Sequence, residues 1–209
     1  MLMAGSSLPM AQTSITSNQI RATITVARLT GEIMNIAELR LAASAAGKKD
    51  TRYYLNGVCV TATDITASTG YIVCRVETRT DMASVGRDVI IPIDRVELFL
   101  KMHGSKHGLL DITLENNGPE SVRMVTAKDS LTFTPVDADY PKIASAYKRM
   151  ATDSKYTDNQ YDWQYIYEAD KACKAFTGQK FSCILNQVEG MGWFKPTDDV
   201  TYIIMSRIP

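Results

Sequence analysis

His103 and His107 stand four residues apart, the spacing that puts two imidazoles on one helix face and could hold a metal ion. Gly104 and Gly108 fall among them, and that punctuation places both histidines in a loop instead. The cysteines, Cys59, Cys74, Cys173 and Cys183, form no CxxC pair and no cluster with histidine. They read as small buried hydrophobes in a reducing, cytoplasmic setting. Asp50, Asp64 and Asp88 sit at turns or strand starts, where carboxylates serve as local caps. The chain shows no Ser-His-Asp set, no HExxH and no GxxxxGK. The expectation is a non-enzyme with no cofactor and no metal, so the side chains are better read for binding.

Cationic side chains are the first binding chemistry on offer. Lys171 and Lys174 are spaced i, i+3 and share one helix face. Arg40 lies in another helical stretch, followed by Lys48 and Lys49. Arg95, Lys101 and Lys106 belong to a third. Lys+Arg and Asp+Glu both number 23 in the 209 residues, so bulk charge cannot coat nucleic acid, although a basic face can be balanced by an acidic one. Glu38, Glu97, Glu168 and Asp170 dilute any stripe. The same lysines are equally explained as the solvated faces of amphipathic helices. Trp163, Trp193 and the tyrosines are scattered, which suits packing better than base stacking.

The elements that must position these groups follow a repeated plan of strand, helix, then two or three strands. The first unit has a strand over 32–35, a helix over 36–46 stopped by Gly47, and strands over 52–61 and 70–77; a further strand over 21–28 precedes it. The second unit has a strand over 88–92, a helix capped by Asp94 with Glu97 completing the box and ending near Met102, and strands over 110–115, 121–126 and 130–135. The polar stretch 141–160 is a linker with a short helix over 142–150. A third unit follows: a helix over 164–176 between Asp162 and Gly178, then strands over 180–187, 193–195 and 200–206. Residues 1–17 lack a basic segment or a long apolar core, so they read as a disordered N-terminus and not as a signal peptide. No apolar run approaches a membrane span.

A string of motifs runs in order along this plan: Arg52-Tyr53-Tyr54-Leu55-Asn56-Gly57-Val58, Val89-Ile90-Ile91-Pro92, Arg95 to Leu100, Leu131-Thr132-Phe133, Asp139-Tyr140-Pro141 and Val200 to Pro209. It resembles the bacterial DNA polymerase sliding clamp, the β subunit of the replicase, in a shortened form of phage or mobile-element type. The resemblance implies an α+β, DNA-clamp-like fold with helices on one face of antiparallel sheets. It divides the chain into a two-unit domain over 18–140, the linker over 141–160, and a half domain over 161–209, with the other half of that domain lacking.

The resemblance also implies partners and sites. Clamp helices face duplex DNA without reading its sequence, which here selects Arg40, Lys48, Lys49, Lys101, Lys106, Lys171 and Lys174. Clamps hold a polymerase or another motif-bearing protein by a peptide set into an apolar cleft, which here selects Arg52, Leu55, Gly70, Tyr71, Pro92, Val96, Ile203 and Met205. A homo-oligomer is implied: three units per chain against about twelve in the family's ring would take four chains. Two departures stand out. Tyr71 replaces the family's His after Gly70, and Ser206 replaces its Pro after the terminal Met. A rival reading is an adaptor or decoy that binds clamp-motif peptides without encircling DNA.

Overall fold

The computed structural model describes residues 34–78, 85–104, 110–150, 159–178, 184–188 and 190–207. Residues 1–17, the strand expected over 21–28, the first half of that over 32–35, the first half of that over 180–187, and Lys106, His107 and Cys183 lie outside them. The described residues form one compact unit.

Helix α1 (Ile36–Ala43) starts at a capping box. The Asn35 side chain accepts the Ala37 and Glu38 N–H groups at 2.9 and 3.0 Å, and Glu38 accepts the Asn35 N–H at 3.0 Å. Together these occupy donors that a helix start would leave empty. Ser44, not Gly47, ends the helix. Residues 52–56, expected as strand, instead form a 3₁₀ turn (Tyr53–Leu55). Asn56 holds this loop by accepting the Asp50 N–H and donating to the Asp50 carbonyl, both at 2.8 Å. Strand β1 (Gly57–Val60) therefore begins only at Gly57, where a Cβ would lie 2.7 Å from Ile90.

Strands β2 (Asp64–Ser68), which the sequence reading did not assign, and β3 (Ile72–Glu77) form a hairpin after β1. Strand β4 (Val89–Pro92) leads directly into α2 (Ile93–Met102), so Asp94 lies in the first turn and not at the cap. The strands β5 (Thr113–Asn116), β6 (Val122–Val125) and β7 (Ser130–Phe133) make a separate antiparallel sheet. Helix α3 (Ala144–Met150) precedes α4 (Trp163–Thr177), which Asp162 caps at 3.0 Å and Gly178 closes at φ 72°. Strands β8 (Asn186–Val188), β9 (Met191–Thr197) and β10 (Val200–Met205) complete the order.

The first two units are joined in a matched way. The Ile36 N–H, at the start of α1, donates to Leu110 O at 2.9 Å, beside the Asn35–Asp111 bridge. The Ile93 N–H, at the start of α2, donates to Asn56 O at 2.9 Å, beside the Gly57–Pro92 pair. Each helix thus springs from the ladder of the other unit. The third unit does not stand apart. Its β10 pairs antiparallel with β3, giving a seven-stranded sheet in the order β4-β1-β2-β3-β10-β9-β8.

Strand alternation divides this sheet's two faces. Val58, Val60, Ile65, Cys74, Val76, Tyr202 and Ile204 face the main core beneath α1, α2 and α4. Val73 and Ile203 face the other way, against Ile143, Ala146, Tyr147 and Met150 from α3 and its approach. Three helices therefore cover one face and α3 the opposite one. Cys59, Cys74 and Cys173 are buried and unbonded to one another, and burial pushes the Cys59 and Cys74 thiols up to about 12. Among the described residues, no helix is long and apolar enough to cross a membrane.

Tyr202 is the largest fully buried side chain. Its ring stacks on Phe194 at 5.3 Å, and its hydroxyl lies 3.1 Å from Ser44 Oγ, tying the third unit to α1. Tyr202→Ala is expected to cost about 3–5 kcal/mol in urea unfolding, as for other truncated core aromatics. Tyr202→Phe, which loses only the hydroxyl contact, should cost about 1 kcal/mol. Equal, small losses would mean that this ring does not join the units.

Candidate functional site: a cleft at the seam between units

The β3–β10 ladder sets Ile203 opposite Val73, and the Met205 N–H donates to Tyr71 O at 2.8 Å. On the face away from the three helices, Val73, Ile203 and Met205 floor a cavity of about 380 Å³. Of the cleft residues read from the sequence, Arg52, Leu55, Gly70, Ile203 and Met205 line it. Leu55 and Ile203 are buried, and Met205 is half-buried. That leaves a flexible thioether at the surface of an apolar hollow, a composition suited to variable partners.

Arg52 is fixed by its neighbours. Its Nε and Nη2 donate to Asp50 at 2.9 and 2.7 Å, and Nη2 also reaches Thr69 O at 2.9 Å. The hydrogen bond from the Arg52 side chain pulls the Asp50 carboxyl down to about 2. The guanidinium lies across Gly70, where a Cβ would come within 2.6 Å of Nη1. Gly70 also has φ +87°, in the left-handed region that favours glycine.

Tyr71 is 58% exposed and stacks on Tyr165 of α4, with centroids 6.2 Å apart. It lines a second cavity of about 760 Å³, which shares Gly70, Arg149 and Met205 with the first. The departure to tyrosine therefore bridges the first and third units with an aromatic stack. The departure to serine has a backbone reason: the Ser206 N–H donates to Gly190 O at 3.0 Å, which proline could not do.

Pro92 and Val96 are not at the cleft. Pro92 ends β4 opposite Gly57, and Val96 is fully buried in the core beneath α2. The wall they were expected to form comes from Pro141, Lys142, Ile143, Ala146 and Arg149. The Asp139-Tyr140-Pro141 motif was a usable signal for this segment, but its destination depends on which sheet face the chain crosses. Tyr54, Val73 and Met191 were also missed; Val73 is the cross-strand neighbour of Ile203 and follows from register alone.

The cations read as DNA-facing are divided. Arg40, Lys48 and Lys171 gather around a groove of about 350 Å³ between α1 and α4, beside Glu168. Lys48 is paired with Glu97 at 2.8 Å, which holds that carboxyl below its usual range. Lys49, Lys101 and Lys174 are exposed and do not line the groove. His103 packs edge-on against Phe99 at 4.6 Å.

No family model matches the sequence, and no curated protein matches it. The structure, by contrast, is similar to solved sliding clamps. The DNA polymerase sliding clamp from Pseudomonas aeruginosa superposes with a TM-score of 0.58 at 15% identity, over 86% of this chain and 68% of that one. The DNA polymerase III subunit beta from Bartonella birtlesii, solved bound to griselimycin, gives 0.59 at 15% over 86% and 68%. The C. crescentus beta sliding clamp, solved with PEG bound to its putative beta-motif tethering region, gives 0.56 at 13% over 83% and 63%. The chain thus has an α+β clamp-like fold and spans about two thirds of the length of these proteins.

Gly70→Ala should destabilise the fold by about 1–2 kcal/mol through its left-handed backbone, and should dislodge Arg52. In wild type the Asp50 carboxyl should titrate by NMR near pH 2, so the Arg52 contact persists until the pH falls to that point. In Gly70→Ala and in Arg52→Gln the titration should move up to the ordinary carboxylate range. An unmoved titration in either variant would show that Arg52 does not hold the carboxylate.

Proposed function

We propose that the chain is a sliding-clamp-like processivity factor of a shortened, phage or mobile-element kind. It sits on duplex DNA without reading sequence and tethers a polymerase or another motif-bearing protein. The reading is carried by the cleft at the β3–β10 seam, where Leu55, Val73, Ile203 and Met205 form an apolar floor open to the surface. The clamp-like fold supports it, as does the exposure of Lys171 and Lys174 on a helix of the three-helix face. The partner contributes a short peptide with a glutamine followed by leucine or phenylalanine. Burying two such side chains is worth roughly 3–6 kcal/mol before ordering costs, which corresponds to micromolar binding.

Three units per chain would close a ring with four copies, and the domains over 18–140 and 161–209 would alternate around it. The second reading is an adaptor that keeps the cleft without enclosing DNA. Lys48 pairing with Glu97 favours it, because one expected DNA contact is already engaged.

Calorimetry with such a peptide should give micromolar affinity. Met205→Ala should weaken it severalfold while leaving the melting temperature nearly unchanged, because the side chain is half-buried. A folded protein that ignores the peptide, with a strongly destabilised variant, would remove the cleft. Light scattering distinguishes the two readings: a tetramer fits the ring, and a monomer at micromolar concentration fits the adaptor. On circular duplex DNA at low salt, Lys171→Ala with Lys174→Ala should weaken an association that wild type loses as salt rises.

A further inference from the structure

The aromatic side chains expected to serve packing do not all do so. Trp193 packs against the smaller core. Two rings on α4 do not: Trp163 is 79% exposed and Tyr167 is 66% exposed. At roughly 100° per residue, Trp163, Tyr167, Lys171 and Lys174 fall within about 80° of one another around the helix. All four are exposed, on the side away from the buried Ala169 and Cys173. Neither lysine has an ion-pair partner among the described residues. One stripe of α4 thus carries two bare rings followed by two unpaired cations.

The carboxylates nearby lie at its margins. Glu168 turns to the groove beside α1, and Gln164 donates to it at 3.0 Å. Asp162 accepts from Arg207. Asp170 borders the stripe and is exposed. Lys171 lines the groove as well as the stripe, and Arg40 lines the groove with it. The Arg40 Nε and Nη2 are buried without a hydrogen-bond partner among the described residues. A buried cationic donor without an acceptor is a place for an anion.

We propose that this stripe takes single-stranded DNA, with two consecutive bases stacked on Trp163 and Tyr167 and the adjoining phosphates set against Lys171, Lys174 and Arg40. The proposal rests on the reading of the three-helix face as DNA-facing and adds the strandedness of what it meets there. The two rings stand about 6 Å apart along the helix axis, a step that the extensible backbone of a single strand can span. In a duplex each base already lies between its neighbours, whereas a lone strand offers its base faces to protein rings. The cations one and two turns further on supply the phosphate contacts. They also argue against an apolar protein patch as occupant, which would leave both ammonium groups covered and uncompensated.

The test uses the full chain and three probes of equal length: an oligothymidylate, an abasic strand with the same phosphates, and a duplex. Oligothymidylate should bind about tenfold tighter than the abasic strand, the share of a stacked base. It should quench the tryptophan fluorescence, and the duplex should quench it little. The chain has two tryptophans, so the quenching should vanish in Trp163→Leu, which leaves only Trp193. Trp163→Phe keeps a ring face and should retain most of the affinity.

Trp163→Leu with Tyr167→Leu should bind oligothymidylate as weakly as the abasic strand. Both rings are exposed, so the melting temperature should hold. Equal binding of the two strands by wild type would overturn the stacking while leaving the phosphate contacts. A duplex that quenches as strongly as the strand would overturn the single-strand preference. An oligothymidylate advantage that survives the double variant would overturn the assignment to these rings. A double variant that changes mass in light scattering, with strand binding unaltered, would make the stripe an interface between copies and overturn the proposal. Binding of neither strand nor duplex at low salt would remove the DNA reading and this proposal with it.

Discussion

The antiparallel pairing of β10 with β3 is the constraint on which the rest of the structure depends. Five residue pairs, from Val200–Val76 to Ile204–Ile72, join the third unit to the first in one ladder. Because side chains alternate along a strand, that single register decides two surfaces at once. Tyr202 and Ile204 go inward against α1 and α4, while Ile203 and Met205 go outward to the cleft. A slip of one residue would bury Thr201 and Ile203 beneath the helices and turn the Tyr202 ring out into the cleft. The hollow and the helix groove are thus two consequences of one pairing.

Much of the local structure was legible in the sequence, because local chemistry decides it. Asp162 and Gly178 bound α4 as cap and left-handed stop. The hairpin turns between β5, β6 and β7 fall where Asn117-Gly118 and Lys128-Asp129 place them. The capping box at Asn35 and Glu38 was equally visible in residue type and spacing, but the stretch was read as strand running into helix. The 3₁₀ turn was less accessible. Tyr53, Tyr54 and Leu55 have strand propensity, and it is the Asn56 side chain closing on Asp50 that overrides it. Strand β2 is short and rich in Asp, Thr and Ser, so its pattern is weak without the partners on both sides.

The cleft was half legible for a different reason. Arg52, Leu55, Gly70, Ile203 and Met205 lie on strands or next to them, and all five line one hollow at the β3–β10 seam. Pro92 and Val96 failed because a residue's place in a motif does not state which face of the sheet it serves. Val96 lies on α2, whose apolar side can only face the core it shares with α1. The residues that take their place come from 141–150, a stretch whose polar composition reads as a linker. Its few apolar side chains, Ile143, Ala146, Tyr147 and Met150, are enough to dock it.

The cleft is consequently built from parts of unequal firmness. Val73, Ile203 and Met205 of its floor belong to the hydrogen-bonded ladder, and Leu55 comes from the 3₁₀ turn. Its wall includes a seven-residue helix, too short to be stable alone, held by apolar contacts and by Tyr147. The Tyr147 ring lies 4.9 Å from the Arg75 guanidinium, which is itself anchored to Asp64 at 3.1 Å and to Glu77 at 2.8 Å. Arg75 stands on β3, one residue from Cys74 opposite Tyr202. The wall is thus referred back to the same strand that sets the floor, and the separation of wall from floor follows from the β3 register.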